Sequence, residues 1–99
     1  MMPDTERRFL RQRLRSGETL GAFWFSLGSP ALVEVACEAA PDVLVLDAQH
    51  GLWHRPTIEH AIGAVAGRRP VLVRTGDASF RSIGEALDAG AEGVLVPMI

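Results

Sequence analysis

The sequence predicts an α/β fold: the N-terminal half of a (β/α)8 TIM barrel, with four β/α units behind a leading helix. Three observations carry this reading. Short apolar runs alternate with stretches of helical periodicity. The repeat is about 25 residues, the length a βαβ crossover needs. The two central runs, Val43–Leu46 and Val71–Val73, are continuously apolar, as expected for strands buried on both faces of a parallel sheet.

The elements follow in order. A leading helix is expected from Asp4 to Ser16, with Asp4 as its cap, Gly17 as its stop, and Phe9, Leu10 and Leu14 as its apolar stripe. Leu20–Leu27 is an aromatic-rich first strand, and Gly28-Ser29-Pro30 supplies a turn, an N-cap and a first-turn proline. The next helix places Leu32, Val35, Ala36 and Ala39 on one face and ends at Pro41. Asp47 closes the second strand. A further helix runs from Pro56 to about Gly67 with Ile58, Ala61, Ile62 and Val65 at helical spacing. Arg74 closes the third strand. Asp77 is expected to cap a last helix that turns Phe80, Ile83 and Leu87 inward, and Gly90 to supply its left-handed end. Gly93–Val96 is the fourth strand, closed by Pro97.

Such crossovers build either an open doubly wound sheet or a closed barrel, and periodicity does not separate the two. A dinucleotide-binding sheet would carry G-x-G-x-x-G after its first strand. Leu27-Gly28-Ser29-Pro30 stands there instead, which favours the barrel. The whole chain, 1–99, is then one partial barrel domain ending after strand four.

Composition excludes several classes of function. The chain has 99 residues, 47% hydrophobic and 22% charged, with a formal charge of -2. That is globular composition with no electrostatic case for nucleic acid. Arg7, Arg8, Arg11, Arg13 and Arg15 read as a solvated helix face. The lone Cys37 excludes an internal disulfide, suits a reducing cytoplasm and is expected in packing. No secretory leader is visible, and no apolar run approaches the roughly 20 residues that span a bilayer. A soluble protein that does not engage membranes is expected.

In parallel α/β folds the carboxyl ends of the strands converge on one face, so polar residues that close apolar strands are the first candidates for chemistry. Asp47, His50 and Arg74 stand there. Asp47 can brace a loop through nearby amides. Histidine is the natural general base among side chains, which makes His50 a candidate for proton transfer. Arg74 follows three aliphatics, where a permanent charge needs an anion or a carboxylate. Trp24 belongs either to the core or to the wall of a substrate pocket. His54, in a loop, and His60, inside a helix, have weaker claims. Arginine beside histidine suits reactions that bind an anionic oxygen while a proton moves, such as enolate formation from a small oxo acid.

Asp47-Ala48-Gln49-His50, Val71-Leu72-Val73-Arg74 and the run from Leu87 to Met98 (LDAGAEGVLVPM) occur in that order. Together they resemble the HpcH/HpaI aldolase family, the hydroxy-oxo-heptanedioate aldolases and their relatives, from about Phe9 to Ile99. The resemblance implies a class II aldolase on a (β/α)8 barrel that cleaves a hydroxy-oxo acid into pyruvate and an aldehyde with a divalent metal (Mg, Mn or Co). It gives His50 the role of proton-transferring base and Arg74 that of stabilising the enolate oxygen. Asp88 would raise the basicity of the histidine, and Asp47 would contact the substrate or support the residues that do. The end of a crossover helix lies at the opposite barrel face from His50, so Asp88 needs a contact between copies or a different local path to reach it. Gln49 replaces the glutamate of the usual Asp-x-Glu-His pattern, a neutral change beside an intact His50. The family's metal ligands are an acidic pair from later strands, so no ligand is assigned here. Glu34, Glu38 and Glu59 lie in helices and do not substitute for them.

Two alternatives accompany this reading. The chain is a non-catalytic half barrel that needs a second copy or a complementing chain, because two open sheet edges invite association. Or it belongs to a related lyase acting on phosphoenolpyruvate or a citryl-type thioester.

Overall fold

Helix and strand alternate as the periodicity predicts. In the computed structural model, which describes residues 9–97, the elements are α1 (Leu10–Arg15), β1 (Ala22–Phe25), α2 (Pro30–Cys37), β2 (Val43–Asp47), α3 (Arg55–Val65), β3 (Val71–Arg74), α4 (Phe80–Asp88) and β4 (Gly93–Leu95). The strands are all parallel and lie side by side in chain order, β1-β2-β3-β4. A doubly wound sheet reverses its strand order at a switch point. This sheet does not, so the ambiguity left by periodicity resolves to four units of a barrel.

The pleat sorts side chains onto two faces with a period of two. Leu44, Leu46, Val71 and Val73 face the helices and pack with Val33, Cys37, Ile58, Ala61 and Val65 into the main core. Cys37 is a packing residue, as expected. Trp24, Val45 and Leu72 lie in register on the other face, where Asp47 is level with Arg74. That is the inner, concave face of a barrel.

Local chemistry sets the ends of the helices. Ser29 accepts the Leu32 amide at 3.3 Å, and Pro30 follows it. α3 begins one residue before Pro56 and ends on a left-handed Ala66 with φ of 52°. Gly90, with φ of 106°, follows α4 in a conformation that a side chain disfavours. Asp77 is not the cap of α4. Ser79 is, accepting the Ser82 amide at 3.0 Å, while Asp77 accepts the Ser79 amide from outside the helix. Asp4 lies outside the described residues, and α1 starts at Leu10 with Phe9 as its N-cap.

Three predicted apolar faces differ from those observed. On α1 only Leu10 is buried, and Phe9 and Leu14 are exposed. On α2 the buried pair is Val33 and Cys37, while Leu32 and Val35 are open. On α4 Ala86 is buried, whereas Phe80 is 96% exposed and Leu87 48%. The reason is positional. α2 and α4 are the outer helices of the layer, beside edge strands β1 and β4, and each packs against α3 on one side. α3 covers the central strands, and its predicted Ile58, Ala61 and Val65 are all buried.

α1 lies across the amino ends of the strands. Its Leu10 amide donates to Glu92 just before β4, and Arg13 reaches Asp42 just before β2 at 2.8 Å. Arg13 is therefore a fastening and not part of a solvated face. Among the described residues, no helix is long and apolar enough to cross a membrane.

Candidate active site

A carboxylate that ends a fully buried strand needs donors, because a buried charge without partners is costly. Asp47 is 2% exposed and has five N–H partners. Oδ1 accepts from the Gln49 amide at 2.9 Å, the His50 amide at 3.0 Å and Arg74 Nε at 3.1 Å. Oδ2 accepts from Arg74 Nη2 at 2.6 Å and Trp24 Nε1 at 3.1 Å. Burial alone would raise the Asp47 carboxyl. The bonds from Arg74, the His50 amide, Trp24 and the Gln49 amide outweigh it and hold the group well below the usual carboxylate range.

Neighbouring strands bring these partners together. Asp47 and Arg74 pair directly across β2 and β3, and Trp24 comes from β1 on the same face. The indole also lies against the guanidinium, with Arg74 Cζ 5.0 Å from the ring centroid, a cation–π contact that covers one side of the planar charge. Nε and Nη2 are turned to Asp47. The Nη1 end has no acceptor from the described residues, so it is the end that can meet an anionic oxygen.

His50 sits in the turn after β2. The turn is tight because a side chain at Gly51 would collide with the Asp47 carbonyl and come within 2.8 Å of the Ser26 carbonyl. The Leu52 amide donates to that same Ser26 carbonyl at 2.8 Å, and Trp53 Nε1 donates to the Phe25 carbonyl at 2.9 Å. The His50 turn is thus tied to the end of β1. The exposed His50 ring makes no hydrogen bond with the described residues.

The predicted residues fare differently. Asp47, Arg74, Trp24 and the His50 turn come together. Asp88, the last residue of α4, does not join them, because a crossover helix ends where the next strand begins, at the opposite end of the sheet. Asp47 has no acceptor capacity left for a substrate, since a carboxylate offers about four lone-pair sites. His54 accepts or donates locally with Thr57 at the start of α3, and His60 is exposed. Ser26 and Trp53, which tie the turn down, went unnoticed in the sequence. Gly51 beside His50 was their only visible signal.

No group of three or more His, Cys, Asp or Glu among the described residues could hold a metal ion. Glu38 pairs with Arg68 and Glu59 with Arg55. A cleft of about 140 Å³ between α3 and α4, with His54, Ile58, Val73 and Ala86 in its lining, contains none of Trp24, Asp47, His50, Arg74 and Asp88.

The sequence profile of the HpcH/HpaI aldolase/citrate lyase family matches residues 21–99. The chain belongs to that family. It is 35% identical over 92 residues to a hydroxypyruvate/pyruvate aldolase from Pseudomonas aeruginosa, a match covering 90% of this chain and 34% of the relative. It is 32% identical over 88 residues to a 4-hydroxy-2-oxovalerate aldolase from Novosphingobium aromaticivorans, covering 87% of this chain and 34% of the relative. Among solved structures, an HpcH/HpaI aldolase/citrate lyase family protein from Burkholderia cenocepacia superposes with a TM-score of 0.85 at 32% identity, covering 91% of this chain and 37% of that one. This HpcH/HpaI-family chain therefore spans about a third of the length of the relatives it matches, and its sheet corresponds to one arc of their barrel.

Proposed function

We propose that this chain carries the proton-transfer and oxyanion-binding part of a pyruvate-forming class II aldolase acting on a 4-hydroxy-2-oxo acid. One observation supports it above the others: the same Asp47 oxygen accepts from the His50 amide and from Arg74 Nε. A base-bearing turn and a cation are thereby held side by side at the strand ends. His50 takes the proton from the substrate's 4-hydroxyl. The C3–C4 bond breaks, the aldehyde leaves, and the electron pair passes to the keto oxygen as an enolate, which Arg74 stabilises from its Nη1 end. Return of a proton to C3 completes pyruvate. Trp24 forms one wall.

The divalent metal that the resemblance implies, magnesium, manganese or cobalt, finds no ligand set among the described residues. The steps assigned to this chain are those of its own side chains. Asp88 can act on His50 only from a second copy, which makes a homo-oligomer part of this reading. Pyruvate release from 4-hydroxy-2-oxo acids, with each metal added, tests the proposal on the chain and on a version continued with the remaining strands of a relative. Activity in the continued version that falls at least about 100-fold in His50→Ala and Arg74→Ala is expected. An inactive continued version, or variants that match the parent, would refute it.

A second reading is favoured by the exposed apolar flanks. Phe23, Trp24 and Leu32 lie open beside one sheet edge, and Phe80, Leu87 and Val96 beside the other. On this reading the 99-residue chain is a half barrel that requires a partner chain. Sedimentation decides: a monomer with cooperative unfolding would exclude it.

A further inference from the structure

We propose that Asp47 is the positioning residue of this site, a single carboxylate that sets the guanidinium of Arg74 and the turn carrying His50 in one register, with the Trp24 indole as its second brace. The proposal rests on the functional reading of Arg74 and deepens it. A carboxylate with about four lone-pair sites meets five N–H groups here, drawn from β1, β3 and the turn after β2. A salt bridge alone would need two. The other three come from Trp24, Gln49 and His50, so the group is arranged as a junction.

The junction restricts both functional groups. Arg74 has several soft torsions, and a charged side chain 27% exposed would sample many of them in water. The bond pair from Nε and Nη2 fixes the guanidinium plane, since bidentate pairing sets orientation as well as proximity. The indole covers one side of that plane, which leaves the Nη1 end as the route for an incoming oxyanion. The Gln49 and His50 amides meanwhile wrap the turn around Oδ1 and fix where the His50 side chain departs. Moving the carboxylate would displace both groups together.

Asp47 therefore acts through Arg74 and His50 and not on the substrate. Its isostere Asp47→Asn keeps the size but replaces one oxygen with an NH2 group that cannot accept: at Oδ2 the bonds from Arg74 Nη2 and Trp24 are lost, and at Oδ1 those from Arg74 Nε and the Gln49 and His50 amides. Trp24→Phe removes one donor and keeps the carboxylate–guanidinium pair.

The test is nitrogen-edited NMR of the full chain, reading the Arg74 Nε–H resonance, together with a titration of oxalate, a planar mimic of the pyruvate enolate. The parent is expected to show a protected Nε–H signal, retained with faster exchange in Trp24→Phe and lost in Asp47→Asn. Oxalate affinity is expected to fall about tenfold or more in Asp47→Asn, the scale of loss when a binding group is misplaced. Asp42→Asn, the same change at the other end of β2, should leave it within about twofold. An Arg74 signal in Asp47→Asn with the parent's position and protection would overturn the proposal. So would an equal loss of oxalate affinity in Asp42→Asn. If the parent signal is protected and lost in Asp47→Asn while oxalate fails to perturb it in the parent, the junction stands and the oxyanion role of Arg74 falls.

Discussion

Strand β2 is bracketed by two arginine–carboxylate pairs of nearly equal length, and the contrast between them separates scaffold from site. Below the strand, Arg13 meets Asp42 at 2.8 Å; above it, Arg74 meets Asp47 at 2.6 Å. Each carboxylate also accepts a backbone amide from a neighbouring segment, Gly21 for Asp42 and His50 for Asp47. The surroundings differ. The Asp42 side chain is 33% exposed and its arginine fastens α1 across the strand bottoms, with Glu18 as a further partner. The Asp47 side chain is 3% exposed, and its arginine leans on an aromatic ring. Both arginines use Nε and Nη2 and leave Nη1 without an acceptor among the described residues. The pairs therefore differ in the burial of the carboxylate, the number of donors on it and the ring beside the guanidinium.

Breaking the upper pair should have the largest effect. Asp47→Ala strands a part-buried guanidinium and two amides, and is expected to cost about 3 kcal/mol in urea unfolding. The contrast fails if Asp42→Ala costs as much. Gly51→Ala comes next, because its new methyl group meets backbone and not a side chain that can yield. A loss of about 2 kcal/mol is expected, with the His50 amide resonance shifted; the same substitution at Gly63, which faces open space, should be neutral or slightly stabilising.

Acid sharpens the comparison further. Both carboxyls are held below their ordinary value of 3.8, Asp42 by the Gly21 amide and Arg13, Asp47 by Arg74 and its other donors despite burial. A depressed folded pKa contributes stability that is full above the unfolded value and lost as pH falls toward the folded one. Unfolding midpoints should therefore drop below about pH 4, and Asp47→Asn should flatten that limb more than Asp42→Asn. The smallest effect is expected for Arg13→Ala. Its pair is open to solvent, so molar salt should already weaken it in the parent, and the variant should leave the Arg74 resonance in place. A displaced Arg74 signal in Arg13→Ala would show that the two ends of β2 are coupled after all.

Much of this was legible in the residues. The four strands, the Ser29-Pro30 helix start, the left-handed Gly90 and the candidates Asp47, His50 and Arg74 all follow from local chemistry, which neighbours in sequence carry by themselves. The misread faces of α2 and α4 have a different origin. Periodicity reports that a helix has an apolar side, but which part of that side is covered depends on the width of the sheet underneath. Leu32, Val35, Phe80 and Leu87 match the helical pattern and are still exposed.

The candidate site divides along the same line. That a charged residue ends an aliphatic strand is visible in Val71-Leu72-Val73-Arg74, and so is the need for an opposite charge near it. That the opposite charge is Asp47, 27 residues earlier, and that Trp24 shares it, depends on the register of three parallel strands. The sequence by itself determined the alternation of elements, the family and the residue types at the strand ends, because these rest on short-range preference and pattern. Only the tertiary structure decided that five donors converge on Asp47 and that Arg13 fastens α1. Those outcomes depend on which strand lies beside which.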